Sequence, residues 1–260
     1  MKKVAILQAR LNSSRLPRRV LADLAGRPVI HHILDRLETS QELDEICVAI
    51  PESESDDELA QSLAGRNIHL TRGPEANVLT RFIIAAHESR AEIIVRAAAD
   101  NPLVDTDVMD EQLRYIAENP ETDYIYTKDL PLGVSTETFT QKTLDKLDFL
   151  ARTPLMRKHV TYYLVENPAP FNIVLLDPPP NLAHPEFRLT LGTEEDLALF
   201  KSVYGALYTE GGIVSTRAAI ELLTSRPELA EVNEHVVQTL PRLAPSPGQP
   251  ADEVRHQIRP

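Results

Sequence analysis

Four arginines, Arg10, Arg15, Arg18 and Arg19, stand with Asn12, Ser13 and Ser14 just after the apolar run Val4-Ala5-Ile6-Leu7. Guanidinium groups present a fixed fork of donors to phosphate oxygens. Hydroxyl, amide and backbone N–H groups complete a cradle where a loop leaves the end of a parallel strand. This loop therefore reads as an anion grip, although a solvated basic loop has the same composition. It contains no G-x-x-x-x-G-K-[ST] and no G-x-G-x-x-G pattern, which disfavours P-loop kinases and ordinary dinucleotide dehydrogenases. A second stretch runs Ile93-Ile94-Val95-Arg96 and then Ala97-Ala98-Ala99 into Asp100. A strand that ends on a carboxylate at the same sheet edge can hold Mg²⁺ against phosphate oxygens, since Mg²⁺ takes one or two carboxylates plus phosphates and water. The competing reading makes Asp100 and Asp105 caps of the next helix, and Asp105, just before Thr106-Asp107, fits that role.

The elements that must position these residues follow from periodicity. Strand-like runs at 3–8, 45–50, 67–70 and 92–97 alternate with amphipathic stretches, which predicts βαβ units and a largely parallel sheet covered on both faces. Pro28 opens a helix through Ile30, Ile33, Leu34 and Leu37; Ser55-Asp56-Asp57-Glu58 opens another; a third spans about 74–89. Further on, 123–126 reads as a strand, and residues 131–139 as a turn leading into a β-branched segment. Helices are expected at about 140–150, from Thr193 as N-cap to about Tyr208, and at about 215–224 and 227–235, with a strand at 171–176. The segment from Ala9 to Pro28 is long for a compact domain, and such loops are commonly functional.

Composition narrows the classes. The chain has 260 residues, 42% hydrophobic and 25% charged, with a net charge of −12. An acidic chain of that kind argues against a nucleic-acid surface and makes a local basic loop stand out. The single cysteine, Cys47, sits in an apolar run and reads as a buried inert thiol. No stretch approaches the apolar length of a membrane span, and the apolar run after Met1-Lys2-Lys3 is too short for a signal peptide. A soluble cytoplasmic protein with no membrane partner is expected. Residues 1–239 read as a single domain and 240–260, rich in proline, as an extended tail.

Several segments, in order, resemble a known family. They are Gln8-Ala9-Arg10 with Ser13 and Arg15-Leu16-Pro17; Gly26-Arg27-Pro28; Asp44-Glu45-Ile46; and Arg72-Gly73 through Val78-Leu79 to Arg81-Phe82. They continue with Asp100-Asn101-Pro102-Leu103-Val104-Asp105, His159-Val160-Thr161, and Arg188-Leu189-Thr190 ahead of Thr193-Glu194-Glu195-Asp196-Leu197. From residue 4 to about 208 the pattern is similar to the cytidylyltransferase-type sugar nucleotidyltransferases, in the branch of the spore coat polysaccharide biosynthesis protein F. The resemblance implies a three-layer α/β/α fold with a mostly parallel mixed sheet, of the Rossmann-like nucleotide-diphospho-sugar transferase type. It implies transfer of CMP from CTP to a sugar or sugar acid, release of pyrophosphate, Mg²⁺ as cofactor, and a homodimer. Carried onto matching positions, Arg10, Arg19 and Asp100 would be catalytic. Gln8, Ala9, Arg10, Asn12, Ser13, Arg19, Arg72 and Arg81 would hold the nucleotide. Asp100 would bind the metal, and Gly133, Glu137, His159 and Arg188 would line the acceptor side.

Three departures from the family pattern bear on chemistry. Where the family carries glycine then lysine, this chain has Arg18 and Arg19; where it tends to carry aspartate, this chain has Ser135 and Gly192. Position 192 is the usual companion of Asp100 at the metal, and glycine offers it no ligand, although Glu137, Glu194 or Glu195 could reach in. Charge is thus gained on the phosphate side and carboxylate lost on the metal side, which predicts a site leaning on guanidinium groups more than on Mg²⁺. Glycosyl transfer from a nucleotide-sugar, or noncatalytic nucleotide binding, are the alternative readings of the same departures.

Overall fold

A computed structural model describes residues 1–237. β1 (Lys3–Gln8) is followed by a 3₁₀ turn at Arg19–Leu21 and a minimal hairpin of β2 (Asp23–Leu24) and β3 (Arg27–Pro28). α1 (Val29–Leu37), β4 (Glu45–Pro51), a 3₁₀ turn at Glu54–Asp56, α2 (Asp57–Ser62), β5 (His69–Gly73), α3 (Val78–Ser89) and β6 (Ile93–Ala98) complete the first half. Then come α4 (Thr106–Glu118), β7 (Tyr124–Thr127), β8 (Glu137–Thr140), α5 (Gln141–Leu150), α6 (Pro154–Lys158), α7 (Tyr162–Glu166), β9 (Ile173–Leu176), α8 (Glu194–Leu207), α9 (Thr216–Ser225) and α10 (Pro227–Glu234).

The main sheet has the strand order β5-β4-β1-β6-β8-β7-β9. β8 runs antiparallel to both its neighbours, β6 and β7, and the other pairings are parallel. The expected mostly parallel mixed sheet is therefore present. The period of two along β1 divides the core. Ala5 and Leu7 pack with α1, α4, α8 and α9 on one face, while Val4 and Ile6 pack with α3, α5 and α7 on the other. A strand apolar on both faces has to lie inside a sheet covered twice, which is the three-layer arrangement observed. Cys47 is fully buried in β4, and burial pushes its thiol up to about 11, consistent with an inert role.

The elements differ from expectation in a few places. β5 begins at His69 and runs on through Thr71 and Arg72 to Gly73, paired with Cys47 to Pro51. Its polar end residues conceal a strand that backbone pairing with β4 extends. The third helix starts at Val78 and not at 74, because the Asn77 side chain caps it, accepting from the Thr80 N–H at 3.0 Å. Asp105 caps α4 as expected, accepting from Val108 N at 3.1 Å. Thr193 and Asp196 form a reciprocal capping box on α8. The proline-rich stretch 240–260 lies outside the described residues. Among those described, no helix is long and apolar enough to cross a membrane.

Candidate functional site

β1, β4, β5 and β6 are mutually parallel, so Gln8, Pro51, Gly73 and Ala98 mark one carboxyl edge of the sheet. At that edge opens a cleft of about 450 Å³ between the loop after β1, the end of β6, the turn before β8 and the α6 terminus. Ligands in open α/β sheets bind at such edges. The cations facing this cleft are Arg10, Arg15, Arg19, Arg81, Arg96 and Lys158, with Asp100 and Glu137 the carboxylates that face it. Arg19 pairs with Asp100 at 2.6 Å and Arg96 with Glu137. Arg10, Arg15 and Lys158 have side chains with no hydrogen bond or ion pair among the described residues, in a chain of net charge −12. Concentrated positive potential in a concave, partly desolvated site is what a polyanion requires.

The loop is shaped by few anchors. Asp56, fully buried at the start of α2, accepts the Leu11 N–H at 2.7 Å, and Leu11 O accepts from Ser13 N and Arg18 N, both at 2.9 Å. The N–H groups of Arg10, Asn12, Ser14 and Arg15 donate to no atom among the described residues, which leaves them available to an anion. Arg18 holds a left-handed backbone, φ 61°, ψ 16°, at the position where the resemblance calls for glycine. The turn is kept although its residue type is not. The Arg18 side chain leaves the cleft and pairs with Glu58 at 2.5 Å, so the expected extra cation on the phosphate side is not Arg18.

The other expected residues divide between the cleft and its surroundings. Gln8, Ala9, Arg10, Ser13, Arg19, Arg81, Asp100, Gly133, Glu137 and His159 line it. Asn12, Arg72 and Arg188 do not line it. Asn12 is exposed, and Arg72 turns to Asp57 at 2.7 Å. Arg188 is held by two bonds to the Asp196 carboxylate, at 2.8 and 2.9 Å, beneath the segment 189–192. Arg81 is 2% exposed and donates to the carbonyls of Pro74 and Glu75, closing the β5–α3 turn. Burial, helped by the neighbouring Arg10, lowers it to about 10, still charged at neutral pH. Its Nε and the Gln8 Oε1 are buried with no hydrogen-bond partner among the described residues. Glu137, besides Arg96, accepts from Tyr124 Oη at 2.8 Å and Thr161 Oγ1 at 2.9 Å, which fixes it as the anchor of Arg96.

His159 reports the potential. Burial first, then the charges of Arg96, Lys158 and Arg10, hold its imidazole below the ordinary histidine value. A polyanion bound here offsets those charges and raises that value, so binding takes up a proton. The added affinity is fully present below the free-state value and is lost as pH rises through the bound-state value. Tripolyphosphate titrations in buffers of different ionisation heat should show this uptake in the wild type and lose it in His159→Asn. Equal proton uptake in both proteins would remove His159 from the cleft's electrostatics.

Whether these residues suit a divalent cation can be judged from the donors. Among the described residues no three His, Cys, Asp or Glu side chains converge. Asp100 Oδ2 is taken by Arg19, and Ser135 donates its hydroxyl to the Thr136 carbonyl. Glu194 and Glu195 are exposed in the first turn of α8 and Glu137 is tied down, so none of them substitutes for a ligand at 192. With Asp100 paired to Arg19 and no second carboxylate free beside it among the described residues, the donor set is a poor fit to a protein-held Mg²⁺.

Arg15, one of the four loop arginines, lines the cleft, and so do Arg96 and Lys158. Arg96 gave one signal, a charge interrupting the apolar strand 93–97, and Lys158 stands beside His159.

Comparison with known proteins bears on the whole of this arrangement. A family profile described as cytidylyltransferase matches residues 4–205. An uncharacterised protein of Methanocaldococcus jannaschii is 34% identical over 238 residues, covering 92% of this chain and 97% of that protein. The spore coat polysaccharide biosynthesis protein SpsF of Bacillus subtilis is 30% identical over 237 residues, covering 88% and 97%. Among solved structures, a cytidylyltransferase from Leptospira borgpetersenii superposes with a TM-score of 0.82 at 26% identity, covering 92% of this chain and 99% of that one.

Proposed function

We propose, from the premise that the chain belongs to the cytidylyltransferase family, that it transfers CMP from CTP to a sugar or sugar-acid acceptor and releases pyrophosphate. The observation that carries this reading is the set of cations without ion-pair partners among the described residues, Arg10, Arg15 and Lys158, around a cleft at the carboxyl edge of the sheet. The likeness to SpsF favours the branch that supplies precursors of surface polysaccharides or glycoconjugates.

In this reading the triphosphate lies along the loop after β1, against Arg10, Ser13, Arg19 and the N–H groups of Asn12 and Ser14. The acceptor enters from the side of Gly133, Glu137 and His159. An acceptor hydroxyl oxygen attacks the α-phosphorus in line; the bond from the α-phosphorus to the bridging oxygen breaks, pyrophosphate leaves with the electron pair, and the hydroxyl proton is given up to solvent. Arginine forks stabilise charge on the departing pyrophosphate, and the cleft walls hold the two reactants in register. Arg96, oriented by Glu137, faces the same space from β6.

Gly192 in place of aspartate gives the glycosyl-transfer reading its one specific support. Calorimetric titration with CTP, other nucleoside triphosphates and an intact CMP-sugar tests the choice. CTP binding more tightly than the other triphosphates is the expected result. Tighter binding of an intact nucleotide-sugar than of any triphosphate would overturn it in favour of glycosyl transfer.

A further inference from the structure

The two positions at which carboxylates would hold a metal are occupied by guanidinium groups. Asp100 carries the Arg19 Nη2 on its Oδ2 at 2.6 Å. At Gly192 a Cβ would stand 3.2 Å from Arg15 Nη2 and 3.1 Å from Arg188 Nη2. Position 192 is fastened to the same edge as Asp100, because the Leu191 N–H donates to the Asp100 carbonyl at 2.6 Å. The carboxylate nearest to Gly192, Asp196, is saturated: it accepts from Arg188, Asn233 and the N–H groups of Gly192 and Thr193. An aspartate at 192 would thus press on the Arg15 and Arg188 guanidinium groups together, and glycine leaves Arg15 room to lie there.

We propose that Arg15 and Arg19 replace the protein-held divalent cation of this site, so that the cleft binds the free, fully ionised triphosphate directly. The inference rests on the nucleotide reading given above and goes further by naming the ionic form that is recognised. Arg19 is released from Asp100 to the phosphates, or bridges both; Arg15 reaches them from beside Gly192. Each guanidinium offers paired donors to phosphate oxygens, a geometry that a lysine ammonium cannot supply. Free triphosphate carries more negative charge than its magnesium complex, so a cleft built from guanidinium groups favours the free form.

The test is CTP binding to the full chain by calorimetry, once in excess EDTA and once in excess Mg²⁺. The wild type is expected to bind at least as tightly in EDTA. Arg15→Ala, a change at an exposed side chain that the fold does not need, is expected to lose about tenfold in EDTA and less in Mg²⁺. Gly192→Asp, which gives Arg15 a carboxylate partner and the site a second ligand, is expected to weaken binding in EDTA and recover it with Mg²⁺. Wild-type affinity that falls tenfold or more in EDTA, with Arg15→Ala indistinguishable from wild type, overturns the replacement while leaving the nucleotide reading intact. Absence of CTP binding under both conditions overturns the nucleotide reading and the replacement with it.

Discussion

Arg10→Ala weakens CTP binding by about ten- to a hundredfold, the equivalent of one hydrogen-bonded charge contact of roughly 1.5 to 3 kcal/mol. Three features put this residue ahead of the other cations. Its guanidinium has no ion pair among the described residues, so nothing in the protein compensates its charge. It leaves β1 two residues after the strand ends, where the backbone is fixed by Ala9 N donating to the Ala49 carbonyl at 3.2 Å and by Leu11 N on buried Asp56 at 2.7 Å. It is also close enough to Arg81 and His159 to depress both, which marks it as a source of the cleft's potential. Arg10→Lys keeps the charge without the fork and is expected to recover part of the loss. Calorimetry on both variants, with unfolding curves to show an unchanged fold, checks this. Full affinity in Arg10→Ala would move the phosphates elsewhere.

Gly133→Ala is the second large effect, and it falls on stability. Gly133 has φ +98°, and an added Cβ would stand 2.2 Å from the Leu189 carbonyl oxygen and 2.8 Å from its carbon. Both are backbone atoms, so a rotamer change cannot relieve the overlap. Leu189 cannot yield freely, since its N–H donates to the Leu132 carbonyl at 2.8 Å and Leu132 N–H donates to the Phe187 carbonyl at 3.0 Å. The same segment carries Thr190 onto Asn101 at 2.8 Å and Leu191 onto Asp100. Backbone strain and overpacking together should cost about 3 kcal/mol or more. Urea unfolding should show a lower midpoint with little change in slope. Gly205→Ala is the control: nothing lies within 4 Å of its Cβ in the last turn of α8, and it should stabilise by up to about 0.5 kcal/mol. Equal behaviour of the two variants would mean that segment 187–192 is not held against the turn at Gly133.

Much of the fold is legible in the residues because burial is written into them. β1 is apolar on both faces, α4 begins at an aspartate cap, and α8 announces itself through Thr193 and three acids in its first turn. β5 is misframed because its last residues are polar yet paired along β4, a tertiary fact with no local signature. The short helices α6 and α7 lie in a stretch, 154–166, whose cations and aromatics carry no clear period.

In the site, sequence identifies the loop, Asp100, Gly133 and His159, which are delivered by chain ends of regular elements. It does not show which way a long side chain turns. Arg18 and Arg72 pair outward with Glu58 and Asp57, Arg188 pairs inward with Asp196, and Arg15 takes the space beside Gly192. Arg18 and Arg15 are turned by residues distant in sequence, and Arg72 and Arg188 by nearer carboxylates on another element, none of which a local pattern supplies.

The reading as a whole stands on transfer from CTP. The most direct measurement is phosphate release from CTP, in the presence of pyrophosphatase, across a panel of sugars and sugar acids, with mass spectrometry of the organic product. The expected result is one pyrophosphate released for each CMP-linked sugar formed, dependent on a particular acceptor and lost in Arg10→Ala. CTP that binds but yields neither pyrophosphate nor a CMP-linked product with any acceptor would contradict it.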